Sequence, residues 1–110
     1  MLILNYHRVG FPPPTARYRG MYVSPDVLSW HIKLLRWRGL EFVTVSDGIA
    51  RGCPPNLAAL TFDDGYLDNY ETGRPVLRAL GVPATVYVVT GNVGGKAVIW
   101  DESGDPQPSD

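Results

Sequence analysis

Two neighbouring carboxylates, Asp63 and Asp64, are the residues best placed by type and spacing to do chemistry. They follow the apolar run Leu57-Ala58-Ala59-Leu60-Thr61-Phe62 and precede Gly65. A short continuous apolar run reads as a strand covered on both faces. In parallel α/β folds the C-terminal ends of such strands carry the active site. Adjacent carboxylates there can divide two roles. One binds a metal, and the other takes a proton from a metal-bound water whose pKa the ion lowers to about 7. Gly65 lets the backbone turn sharply and approach a ligand. Taken alone, Asp-Asp-Gly is also an ordinary turn signal after a strand.

The elements that must position this pair alternate along the chain. Leu2–Asn5 is a short apolar run of strand character. Gly10-Phe11-Pro12-Pro13-Pro14-Thr15 cannot continue a ladder, because consecutive prolines lack the N–H. Ser24 and Pro25 open a helix as N-cap and first residue. Its apolar stripe is Leu28, Ile32 and Leu35, and Gly39 is placed to end it. Leu40–Val45 reads as a strand, and Ser46 or Asp47 as the cap of a short helix ending near Gly52. Asn69–Leu80 reads as a helix in which Pro75 forces a kink or an irregular first turn, with Gly81 as the stop. Pro83–Val89 is rich in β-formers. This alternation predicts an α/β fold with parallel strands. Residues 101–110 include Ser103-Gly104-Asp105-Pro106-Gln107-Pro108-Ser109-Asp110, have nothing to bury, and are expected to be a disordered tail.

Leu60-Thr61-Phe62-Asp63-Asp64-Gly65-Tyr66 resembles the first motif of the polysaccharide deacetylases, the NodB-homology domain of carbohydrate esterase family 4. Further residues agree in order: Leu4-Asn5-Tyr6-His7-Arg8-Val9 at the opening, then Asn69 and Tyr70, Pro75-Val76-Leu77, Gly81, Pro83-Ala84-Thr85 and Val86-Tyr87-Val88. The resemblance covers residues 1–100, read as a partial NodB-homology domain. It implies the N-terminal part of a distorted (β/α) barrel. It implies hydrolysis of N-acetyl or O-acetyl groups on a carbohydrate polymer with a divalent metal, zinc or similar. Asp63 would be the general base and Asp64 a metal ligand. His7 would border the active site or act as the acid. Gly65 and Tyr66 are the expected substrate contacts, the tyrosine by stacking on a sugar ring. Tyr18, Tyr70 and Trp100 are further rings that could stack, although aromatics commonly pack cores.

The family's remaining ligands are two histidines of a His-Ser/Thr-x-x-His motif. This sequence has only His7 and His31, and His31 falls on the predicted helix as a surface or boundary residue. A catalytic zinc-type site takes about three protein ligands and an open position. The expectation is an incomplete fragment, not competent alone, because barrels of this kind need roughly 200 residues or more. Part of a barrel leaves exposed sheet edges, which invites self-association.

The chain has 110 residues and a formal net charge of −1, which argues against binding nucleic acid through phosphate neutralisation. No run approaches the ~20 apolar residues of a membrane span, and no signal peptide is legible at Met1. As it stands the chain reads as cytoplasmic, whereas the resembled family is often in the envelope or secreted. Two rival readings exist. A P-loop ending at Gly95-Lys96 would need Gly at 90 and a hydroxyl at 97, where Thr90 and Ala97 stand. A carbohydrate-binding module without catalysis would use the aromatic rings alone. Cys53, the single cysteine, has no neighbouring basic cluster to activate it.

Overall fold

A computed structural model describes residues 1–92. The segment Gly94-Gly95-Lys96, Trp100 and the expected tail lie outside the described residues.

The apolar run before the carboxylates forms the central strand, and it extends through them. The strands are β1 (Leu2–Tyr6), β2 (Arg8–Val9), β3 (Tyr22–Val23), β4 (Glu41–Phe42), β5 (Leu57–Asp64) and β6 (Ala84–Val88). The helices are α1 (Pro25–Trp37), α2 (Val45–Ala50) and α3 (Arg74–Leu80). β1 pairs with β5 along one edge, in parallel, from Leu2↔Ala58 to Tyr6↔Phe62. β4 and β6 share the other edge of β5, also in parallel, β4 at its start and β6 from Leu60↔Ala84 to Asp64↔Val88. Every residue from Leu57 to Phe62 is buried, as a strand flanked on both edges requires.

α1 forms where the sequence places it. The Ser24 hydroxyl accepts from the Val27 N–H at 3.2 Å, and Pro25 begins the helix. Leu28 and Ile32 are fully buried and join Phe62, Leu60 and Val9 in one core. Each such side chain contributes about 1.5–3 kcal/mol by burial. Two local expectations change, and the irregular turn expected near Pro75 is found. β4 keeps only Glu41–Phe42 of the six-residue strand expected, because the chain turns at Thr44 into α2. Thr44, rather than Ser46 or Asp47, caps α2, its Oγ1 accepting from the Asp47 N–H at 3.2 Å. The segment after the carboxylates is a π-helical turn over Asn69–Gly73 before α3, which absorbs Pro75 in the first turn of α3. Gly81 ends α3 in the left-handed region at φ 66°.

The short parallel pair β2–β3, Arg8↔Tyr22 and Val9↔Val23, has no signal in the sequence periodicity. Leu2 and Ile3 on β1, and Val86 to Val88 on β6, are exposed apolar residues on the outer strands. No described helix is long and apolar enough to cross a membrane.

Candidate functional site

Register places the site. Asn5 of β1 lies opposite Thr61 of β5, and Thr61 lies opposite Thr85 of β6. Side chains alternate along a strand, so Asn5, Thr61, Asp63, Thr85 and Tyr87 share one sheet face. Leu4, Tyr6, Leu60 and Phe62 share the other, which α1 covers.

On the first face the carboxylate of Asp63 is held from β1. Asn5 Nδ2 donates to Asp63 Oδ2 at 3.2 Å. The Thr61 hydroxyl lies 3.1 Å from both Asn5 Oδ1 and the Leu4 carbonyl oxygen, so it can donate to either acceptor. Asn5 is therefore fixed at its oxygen end and aimed at Asp63 by its nitrogen end. His7 Nε2 stands 3.8 Å from Asp63 Oδ2, and the Asp63 side chain keeps 35% of its surface exposed. A half-exposed carboxylate beside an imidazole and an amide donor can take and return a proton. Asn5 was not among the expected site residues. The signal that could have found it is the register of two apolar strands, which no single strand reveals.

Asp64 ends β5 with φ 75°, and Gly65 follows at φ 68°. Two consecutive left-handed residues turn the chain off the sheet. For Asp64 this conformation is strained, and such strain clusters at functional positions. At Gly65 a Cβ would come 3.0 Å from Val88 Cγ1 as well.

Behind the turn the chain is tied back to β2 by a second carboxylate. Arg8 Nε donates to Asp68 Oδ2 at 2.9 Å, and the Val9 N–H donates to Asp68 Oδ1 at 3.2 Å. Asn69 Nδ2 donates to the His7 carbonyl at 2.9 Å and to Asp68 Oδ1 at 3.2 Å. Burial pushes the Asp68 carboxyl above its usual range, against the opposing hydrogen bonds from Arg8 and the Val9 N–H. The Arg8 guanidinium lies over the Tyr66 ring at 4.4 Å and near the Tyr22 ring at 5.0 Å. Tyr66 is 2% exposed. Its expected sugar-stacking role is therefore corrected: it is a packing residue under Arg8. Gly65 is exposed, and it borders an apolar groove of about 720 Å³ between α3 and β6, which neither Asp63 nor Asp64 lines.

The two histidines do not converge. His31 Nδ1 lies 2.7 Å from the Tyr6 hydroxyl on the α1 side. It is thus a hydrogen-bonded residue of the helix boundary. Burial pushes the Tyr6 phenol up to about 12. His7 stands on the opposite side of β1, beside Asp63. A cavity of about 380 Å³ at the β1 edge touches both, with Asn5, Tyr6 and Tyr22. Among the described residues no group of three His, Cys, Asp or Glu side chains could hold a metal ion. This residue set does not fit a complete metal centre, and Asp64 offers a single carboxylate donor.

The comparisons with known proteins bear on family and fold. The family description "Polysaccharide deacetylase" matches residues 51–105. YxkH of Bacillus subtilis strain 168, whose name assigns it to the polysaccharide deacetylases, is 42% identical over 105 residues, spanning 91% of this chain and 36% of that protein. A poly-beta-1,6-N-acetyl-D-glucosamine N-deacetylase of Staphylococcus aureus strain N315 is 29% identical over 107 residues, spanning 84% of this chain and 37% of that protein. The structure of IcaB from Ammonifex degensii superposes with a TM-score of 0.70 at 31% identity, over 96% of this chain and 43% of that one. A de-N-acetylase structure from Aggregatibacter actinomycetemcomitans shares the fold, with a TM-score of 0.71 at 23% identity, over 94% of this chain and 44% of that one. The likeness supports the α/β barrel-type architecture expected from the sequence, of which the described strands form a part. The chain spans about two fifths of the length of these relatives.

Proposed function

The chain belongs to the polysaccharide deacetylase family, and from that premise we propose that it supplies the carboxylate half of an acetyl-hydrolysing site acting on an acetylated carbohydrate polymer. The observation that carries this reading is Asp63, at the C-terminal end of the central strand, held by Asn5 and standing 3.8 Å from His7. In this role Asp63 takes a proton from the attacking water as its oxygen adds to the acetyl carbonyl carbon. The tetrahedral adduct then breaks its bond to the sugar nitrogen or oxygen. His7 returns a proton to that leaving atom, and acetate and the free amine or hydroxyl result. Asp64 would offer one carboxylate donor to a divalent ion, which would supply activation of the attacking water, with its other donors coming from outside the described residues. The β1 and β6 edges are the surfaces on which further chain would close the sheet.

A chimera tests the reading. The 110 residues are joined to the portion of YxkH that they do not match. With divalent metal, the chimera should release acetate from a β-1,6-linked N-acetylglucosamine oligomer, and the 110-residue chain alone should not. Asp63→Asn should lower kcat by about 100-fold or more without changing metal affinity. Asp64→Asn should weaken metal affinity. An active chimera indifferent to Asp63→Asn would overturn the base assignment. Acetate release by the chain alone would overturn the proposal that it lacks the remaining donors.

A further inference from the structure

The geometry points to Tyr87 as the residue that seats the sugar ring whose acetyl group meets Asp63, an inference that rests on the deacetylase reading above. Asp63 and Tyr87 are direct partners in the parallel β5–β6 register. Directly paired residues project from the same sheet face, at Cβ separations of about 5 Å. That face is the one carrying Asn5, Thr61 and Thr85, since Thr61 pairs with Asn5 on one side and Thr85 on the other. Val86 and Val88 project to the opposite face, where they line the apolar groove under α3. Tyr87 is thereby separated from its two apolar neighbours and placed beside the carboxylate.

Its surroundings differ from those of the other rings near the site. Tyr66 is buried under Arg8, and Tyr6 is bonded to His31 against α1. Tyr70 lies on the groove side with Arg74 against its ring. Tyr87 is 49% exposed on the Asp63 face. Asp63 is thus flanked by polar groups toward β1, Asn5 and His7, and by an aromatic surface toward β6. A pyranose has the same division. Its axial C–H faces are apolar and suit a ring platform, while its acetamido group needs donors and a base. Seating the ring on Tyr87 presents a substituent toward Asp63, and an aromatic residue does so with few side-chain torsions to freeze.

The test uses the isotope-labelled 110-residue chain titrated with a β-1,6-linked N-acetylglucosamine tetramer, read by NMR. The Tyr87 ring resonances should move on binding. Tyr87→Phe should bind within about twofold of wild type, and Tyr87→Ala about tenfold more weakly. Amide shifts away from β6 check that each variant is folded, and the ring shifts of the unmutated chain test the contact without any substitution. Unmoved Tyr87 resonances, equal binding by Tyr87→Ala, or no binding at about millimolar oligomer would overturn the inference. Equal affinity for the de-N-acetylated oligomer, with the Tyr87 dependence intact, would remove the deacetylase reading and support the ring platform. Preference for the acetylated oligomer without Tyr87 dependence would do the reverse.

Discussion

Asp63 and Asp68 flank one turn and reach across to the same stretch, Asn5 to Val9, yet their environments are opposed. Asp68 is largely covered, with 18% of its side chain exposed, and accepts from Arg8, from the Val9 N–H and from Asn69. Asp63 is partly exposed, and its described partners are the Asn5 amide at 3.2 Å and the His7 ring at 3.8 Å. A carboxylate with its acceptor sites filled fixes backbone. One with lone pairs still open can handle a proton. Two acids of the same type, a few residues apart, thus differ in which donors meet them, and Asp63 keeps the open surface that the proposed base role needs. Asp68 holds the turn that presents Asp63.

Arg8→Ala strikes the structural side hardest. It leaves the largely covered Asp68 carboxylate without its guanidinium and uncovers the Tyr66 ring. A loss of about 3 kcal/mol is expected in urea unfolding, because removing one partner of a buried pair strands the other charge. A loss below about 1 kcal/mol would erase the contrast. The pH dependence gives an independent view of the same group. Burial raises the Asp68 pKa above its ordinary 3.8, so the folded state holds this proton more tightly than the unfolded chain does. The stabilising contribution of that proton is complete below the unfolded value and is lost as pH rises through the folded one. The stability advantage of wild type over Asp68→Asn should therefore shrink as pH increases from about 3 to about 7. An advantage that grew over that interval would mean that the Arg8 pairing outweighs desolvation.

The central strand, α1 and the carboxylate pair were legible because each is written in local pattern. Leu57–Phe62 is a single apolar run, Ser24-Pro25 is a start signal, and Leu28, Ile32 and Leu35 keep helical spacing. The Asp68 clamp was not legible, because Arg8 and Asp68 meet only after β1 and β5 have paired. Tyr66 was misjudged for a related reason. Nothing local says which side of the turn its ring takes, and the arginine that covers it comes from another strand. Asn5 and Tyr87 likewise become neighbours of Asp63 through register alone.

The turn between the two acids offers a smaller test. Asp64 and Gly65 both sit in the left-handed region, at φ 75° and 68°. Gly65→Ala should destabilise by about 1–2 kcal/mol, from the conformation and from the close approach of Val88. Asp64→Gly should stabilise by about 1 kcal/mol or less while removing the proposed metal donor. Thermal unfolding of both variants reads these opposite signs. A destabilising Asp64→Gly would show that the Asp64 side chain holds the turn, and would move it to the structural side.

Asp63→Asn should have the smallest effect on folding and the largest on chemistry. The amide keeps the shape of the acid, and the side chain already meets water over 35% of its surface. Asn5 loses a charged acceptor yet can still donate to the amide oxygen. The stability change should stay within about 0.5 kcal/mol, as for surface substitutions clear of buried networks. Urea unfolding of Asp63→Asn beside Arg8→Ala therefore measures the contrast directly. A loss at Asp63 as large as that at Arg8 would mean that both carboxylates serve the fold, and no open acid would remain at the strand end to act as a base.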